Sequence, residues 1–227
     1  MKKHLPWLLP ILLWLVVVPF TPSIDMAVEH HFFKNGQFSD TPLFNFLYLY
    51  GMYPGNIVGA AAAVVFILSY FLPSLRSLRA ISLYFPLVLI IGSGLIVNVI
   101  LKDHWGQPRP RQVVEFGGKQ EYRAIWQPNF SPPEPSKAFP CGHCAMGFYF
   151  FTLTMAALYY RKPYLFWASL LFTFFFGGLL SLARMSQGAH FFSDVITSAL
   201  IMWLVSCALF PSRYLNKEFY DYNKPKY

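Results

Sequence analysis

Charge is what this sequence has least of. Asp, Glu, Lys and Arg make up 12% of 227 residues, against 56% hydrophobic and 19% aromatic. That leaves too little polar surface to clothe a water-soluble fold. Cysteine is scarce as well, and three of them are too few for a disulfide scaffold. No cluster with metal-ligand spacing, no internal repeat and no low-complexity tract interrupts the chain. The length leaves no room for a second domain. These absences point to one unit, 1–227, whose solvent is a bilayer.

What the chain has instead is long apolar runs. A helix needs roughly 20 apolar residues to cross ~30 Å of hydrocarbon, and six runs qualify: Leu5–Phe20, Gly55–Leu72, Ala80–Leu101, Cys144–Tyr160, Leu165–Leu182 and Phe191–Phe210. The expected fold is all-α and polytopic, with six transmembrane helices and a catalytic core, about 80–210, in a bundle of the last four. Met1-Lys2-Lys3 before an apolar stretch resembles a signal peptide. It lacks a clear small-x-small cleavage site and carries Pro6, Pro10 and Pro19, so the expectation is an uncleaved first span. Between the first two spans, 21–54 mixes aromatic and polar residues and reads as interfacial helices or a loop at the head groups. A proline-rich, charged outer loop covers about 103–139 and a tail covers 211–227.

The +8 net charge is explained by topology. With the N-terminus inside, the inner segments receive Lys2 and Lys3, Arg76 and Arg79, Arg161 and Lys162, and a tail with Arg213, Lys217, Lys224 and Lys226. Of the acidic residues only Glu218 and Asp221 fall inside. Nucleic acid is not needed to account for the excess, and none is expected as a partner.

Three polar clusters break the apolar pattern: Lys102–Pro110, Phe139–Cys144 and Arg184–Asp194. They follow the third span, precede the fourth and join the fifth to the sixth, so an alternating topology puts all of them on one side. In the first, Lys102 and the proline-flanked Arg109 can clamp different oxygens of one phosphoryl group. In the second, Pro140-Cys141-Gly142-His143 opens a helix, setting free backbone N–H groups beside an imidazole that can protonate a leaving oxygen. In the third, His190 and Asp194 share a helix face. The carboxylate can hold one ring nitrogen protonated and leave the other as a nucleophile, while Arg184 neutralises charge. Each cluster also has a plain structural reading: a snorkelling lysine and an interfacial arginine, a helix cap, and an ion pair.

Taken together, Lys102-x6-Arg109-Pro110, Pro140-Cys141-Gly142-His143 and Arg184-x5-His190-x3-Asp194 resemble the type 2 phosphatidic acid phosphatase superfamily, which shares its core with vanadium haloperoxidases. The resemblance covers roughly Ala80 to Phe210. It implies that His190 attacks phosphorus to give a phosphohistidine, that Asp194 orients it, and that His143 protonates the leaving group. Lys102, Arg109, Arg184 and the Gly142 N–H would hold the phosphoryl oxygens, with no metal or other cofactor. Where the family usually has serine this chain has Cys141 and Ala183. That weakens a hydrogen bond to phosphate at Cys141 and removes one at 183.

The wording of 102–110 and 184–194, with Cys141 between them, is similar above all to bacterial lipid A phosphatases of the 4′-phosphate branch. This implies a lipid phosphate substrate met in the bacterial inner membrane at a periplasmic active site. Arg111, Lys119, Arg123 and Lys137 of the outer loop would suit a bulky anionic saccharide head. Relatives acting on undecaprenyl pyrophosphate or phosphatidylglycerophosphate share the same motifs. Three other classes stay open: a transporter or flippase, a lipid-binding relative without catalysis, and a redox enzyme. The last is suggested by Cys141-Gly142-His143-Cys144, which could also hold a regulatory disulfide. Against a transporter, the span interiors as read offer only Asn98 and a few small polar groups.

Overall fold

The computed structural model describes residues 5–211 except Asp40 and Pro133. Lys2, Lys3 and the tail beyond Pro211, on which part of the topology argument rests, lie outside the described residues. Among the described residues the regular structure is helical. Extended backbone pairs only in two isolated bridges, Lys34 with Gln37 and Val113 with Gln120.

Four helical stretches are long and apolar enough to cross a membrane: Leu8–Phe32, Pro42–Leu68, Pro73–Lys102 and Pro163–Ser186. The first joins α1 (Leu5–Val17) through a 3-10 turn to α2 (Thr21–Phe32), so the helix does not stop at Phe20 as expected. The second joins α3 (Pro42–Tyr50) to α4 (Tyr53–Leu68), and the fourth is α8 (Pro163–Ser186). The stretch expected as a fourth span is two shorter helices, α6 (Gly142–Phe148) and α7 (Phe151–Tyr159), and the sixth is the 17-residue α9 (Phe192–Ala208). Length and composition therefore support four crossings directly.

In the third stretch α5 (Arg79–Val88), which contains Pro86, passes into a π-helical segment, Leu89–Lys102. Proline leaves the ladder without one N–H donor, and such wider turns tend to sit near functional sites. Within the segment the Asn98 side chain donates to the Ser93 carbonyl, five residues back, at 2.7 Å. The segment delivers Lys102 to its last turn.

α5 with its π-helical extension, α6–α7 and α9 form the centre, where Val88, Val97, Tyr149 and Met202 are fully buried. Phenols there need partners. Tyr84 donates to the Ser206 carbonyl at 3.0 Å and Tyr149 to the Phe85 carbonyl at 3.1 Å. α8 approaches α6 through paired glycines: a Cβ on Gly147 would lie 2.6 Å from the Gly177 Cα. Outward faces are apolar, with Ile57 63% and Leu171 and Phe175 each 69% exposed. That surface suits hydrocarbon and would be unstable in water.

Candidate active site

The candidate nucleophile is built at the α8–α9 turn. Arg184 ends α8, His190 stands just before α9, and Asp194 lies in the first turn of α9. Asp194 Oδ2 accepts the Phe191 N–H at 2.9 Å and faces His190 Nδ1 at 3.3 Å. A hydrogen on Nδ1 then leaves the Nε2 lone pair free. His190 is 1% exposed and Asp194 0%. Burial, then the positive charges of Arg184, Lys102 and Arg109, hold the His190 imidazole well below its ordinary pKa, which keeps it neutral and nucleophilic.

The other residues singled out in the sequence arrive from distant segments. A Cβ on Gly142 would lie 2.8 Å from Asn98 Oδ1 and 3.4 Å from Lys102 Nζ, so the ends of both side chains reach the bare backbone at the start of α6. His143, next along α6, places Nε2 3.1 Å from the Tyr48 carbonyl and stacks on the Tyr48 ring at 5.1 Å. The Arg184 guanidinium lies 4.5 Å from the centre of that same ring. The Arg109 N–H donates to Gln112 Oε1 at 2.9 Å, and the Arg111 N–H donates to the Gly188 carbonyl at 3.1 Å. The first bond closes the arginine loop on itself and the second ties it to the turn that carries His190.

Arg109, Arg111 and Arg184 line a cavity of about 360 Å³ together with Phe38, Ser39, Asn45, Tyr48 and Gln187. Arg184 donates to Gln187 Oε1 at 2.5 Å and Gln187 in turn to Asn45 Oδ1 at 3.1 Å, while Arg184 Nε is buried without a partner. A guanidinium N–H so placed suits a phosphoryl oxygen. Lys102, His143 and His190 lie off this lining, yet each has Arg184 and Arg109 among its interacting charges. Of the four outer-loop bases expected to meet a saccharide, Arg111 reaches the cavity. Lys137 is paired with Asp103 at 2.6 Å instead.

Cys141 follows the disulfide reading of its motif and not the phosphate-donor one. Its sulfur is joined to Cys144 in a disulfide and accepts the Cys144 N–H at 3.2 Å as the N-cap of α6. It has no thiol hydrogen to offer a phosphate oxygen, and its contribution is to hold the helix start that presents Gly142 and His143.

Two groups escaped the sequence reading. Tyr48 and Asn45 sit on α3, whose aromatic stretch reads as interfacial. Asp25 and Glu29 sit on α2, both fully buried, which corrects the expectation that span interiors hold only Asn98 and small polar groups. The missed signal was their four-residue spacing within an apolar stretch, since an acid at membrane depth is costly without a purpose.

A sequence profile described as the PAP2 superfamily matches residues 83–218. A lipid A 4′-phosphatase of Francisella tularensis subsp. novicida (strain U112) is 32% identical over 215 residues, 91% of this chain and 93% of that protein. A lipid A 4′-phosphatase of Rhizobium leguminosarum is 33% identical over 122 residues, 54% of this chain and 48% of that protein. A third, from Rhizobium etli, is 67% identical over 30 residues, 13% of this chain and 12% of that protein. No solved structure matches the chain.

Proposed function

This chain belongs to the PAP2 superfamily, and from that premise we propose that it is a membrane phosphatase hydrolysing the 4′-phosphate monoester of lipid A. The observation that carries the chemistry is the convergence of Lys102, Arg109, Arg184, His143 and the His190–Asp194 pair, from three separated segments, at one end of the helix bundle. The substrate assignment is supported by the relative that matches along nearly its whole length.

In the proposed reaction the phosphate dianion enters between Arg109 and Arg184 and reaches Lys102 and the Gly142 N–H. His190 Nε2 attacks phosphorus in line as the ester P–O bond breaks, and His143 gives its proton to the departing sugar oxygen. Water then attacks the phosphohistidine, returns a proton to His143, and releases inorganic phosphate. Phosphoryl transfer of this kind depends on positioning and charge neutralisation. Removing one charge-stabilising donor costs about 10²–10³ in turnover, so His143→Ala and Arg184→Ala are expected to fall at least that far.

The reading extends to placement. α6–α7 and α9 complete six crossings, and the site faces the periplasmic side of the inner membrane, where loss of a phosphate would weaken attraction of cationic peptides. Purified protein incubated separately with lipid A, undecaprenyl pyrophosphate and phosphatidylglycerophosphate, with products weighed by mass spectrometry, tests the substrate. Loss of one phosphate from the distal sugar of lipid A is the expected product, and turnover confined to either alternative would reassign the enzyme.

A further inference from the structure

Behind the candidate nucleophile lies a second layer of acids that the proposed reaction does not use. α2 packs against α9, and its Asp25 is fully satisfied. Oδ1 accepts the Ser193 N–H at 2.8 Å, and Oδ2 accepts the Ser193 hydroxyl at 2.7 Å and the Tyr122 hydroxyl at 2.8 Å. This one carboxylate pins α2, the outer loop and the first turn of α9 together. Glu29, one turn further along α2, is equally buried, but neither of its oxygens has a partner. The charges acting on it are Asp194 first and Asp25 second. Asp194 has a matching deficit, for Oδ1 is buried and unpaired while Oδ2 serves His190 and the Phe191 N–H.

Three ionised carboxylates cannot share one dry pocket without a cation among them. Asp194 has His190 and, beyond it, Lys102 and Arg109 on its side, and Asp25 has its three donors, so Glu29 is the member with nothing to hold a charge. A protonated carboxyl supplies an O–H donor, and an acceptor without one is what Asp194 Oδ1 presents. We propose that Glu29 is a positioning residue that carries a proton and donates it as a hydrogen bond to Asp194 Oδ1, fixing the carboxylate that orients His190.

The inference rests on reading His190 as the nucleophile, and two measurements separate its failure from failure of that reading. Infrared difference spectra of wild type and E29Q, recorded in detergent at neutral pH, are expected to show a protonated-carboxyl C=O band that the variant lacks. Absence of that band overturns the proposal whether or not the protein is an active phosphatase. In steady-state assays on a lipid phosphate that the wild type turns over, E29L removes the donor at similar size. It should lower kcat by about 10–100-fold, the range seen when the partner behind a functional side chain is lost, with KM little changed. E29Q, which retains an N–H donor, should recover most of that loss. E29L as fast as wild type, or E29Q as slow as E29L, would overturn the assignment.

Discussion

At the scale of single residues, the chemistry was legible where it is written as local spacing. His190 and Asp194 are four apart on a helix start, and the structure sets them 3.3 Å apart. Lys102, Arg109 and Arg184 were legible as a set through their motifs, since each cation alone also fits a snorkelling or interfacial role. At Cys141 the sequence left two readings, a weakened hydrogen bond to phosphate and a disulfide with Cys144, and the sulfur is bonded to Cys144. The environment of His190 makes a pH prediction. Burial and then Arg184 depress its pKa, so the free enzyme should stay active as pH falls through the ordinary histidine range and fail only below it. Arg184→Gln removes the largest of the charge effects. The acid limb of kcat/KM for its residual activity should therefore move up toward the ordinary value, and an unmoved limb would show that another group controls it.

At the scale of elements, apolar runs located most helices, because hydrocarbon requires every backbone group to be bonded within its own segment. What the runs could not show is where helices continue or divide. Thr21–Phe32 reads as part of a head-group segment, 21–54, because that stretch mixes Phe and Tyr with His30, His31, Lys34 and Asp40. Asp25 is held inside the helix by partners on Ser193 and Tyr122, 168 and 97 residues away, while the Glu29 oxygens have none. The division between α6 and α7 near Tyr149 and Phe150 likewise has no marker such as proline. The contact between α6 and α8 depends on Gly147 and Gly177 meeting backbone to backbone. Gly147→Ala is expected to force these helices apart at a cost of about 1–3 kcal/mol, as overpacking does, and to shift the helix that carries His143. Thermal unfolding in detergent should show a lower midpoint together with reduced turnover. An unchanged midpoint would mean the helices yield freely at this contact.

At the scale of the whole molecule, the parity of spans predicted that three remote clusters would share one face, and His190 has Arg184, Lys102, Arg109 and His143 among the charges that act on it. Parity could not show that α3 supplies Tyr48 to the cavity wall or that α2 sets the buried Asp25 against Ser193, beside Asp194. Helices from the N-terminal third thus help to line a candidate site whose proposed reactive groups all lie beyond residue 100. The central claim is that these parts surround one phosphoryl group and pass it to His190. Lipid A carrying a radiolabelled 4′-phosphate, mixed with purified protein and quenched in alkali within the first turnover, tests it most directly. Acid-labile, alkali-stable label on wild type that maps to His190 and is missing from His190→Asn is the predicted result. Phosphate release by the wild type with no protein-bound label, or undiminished release by His190→Asn, would contradict it.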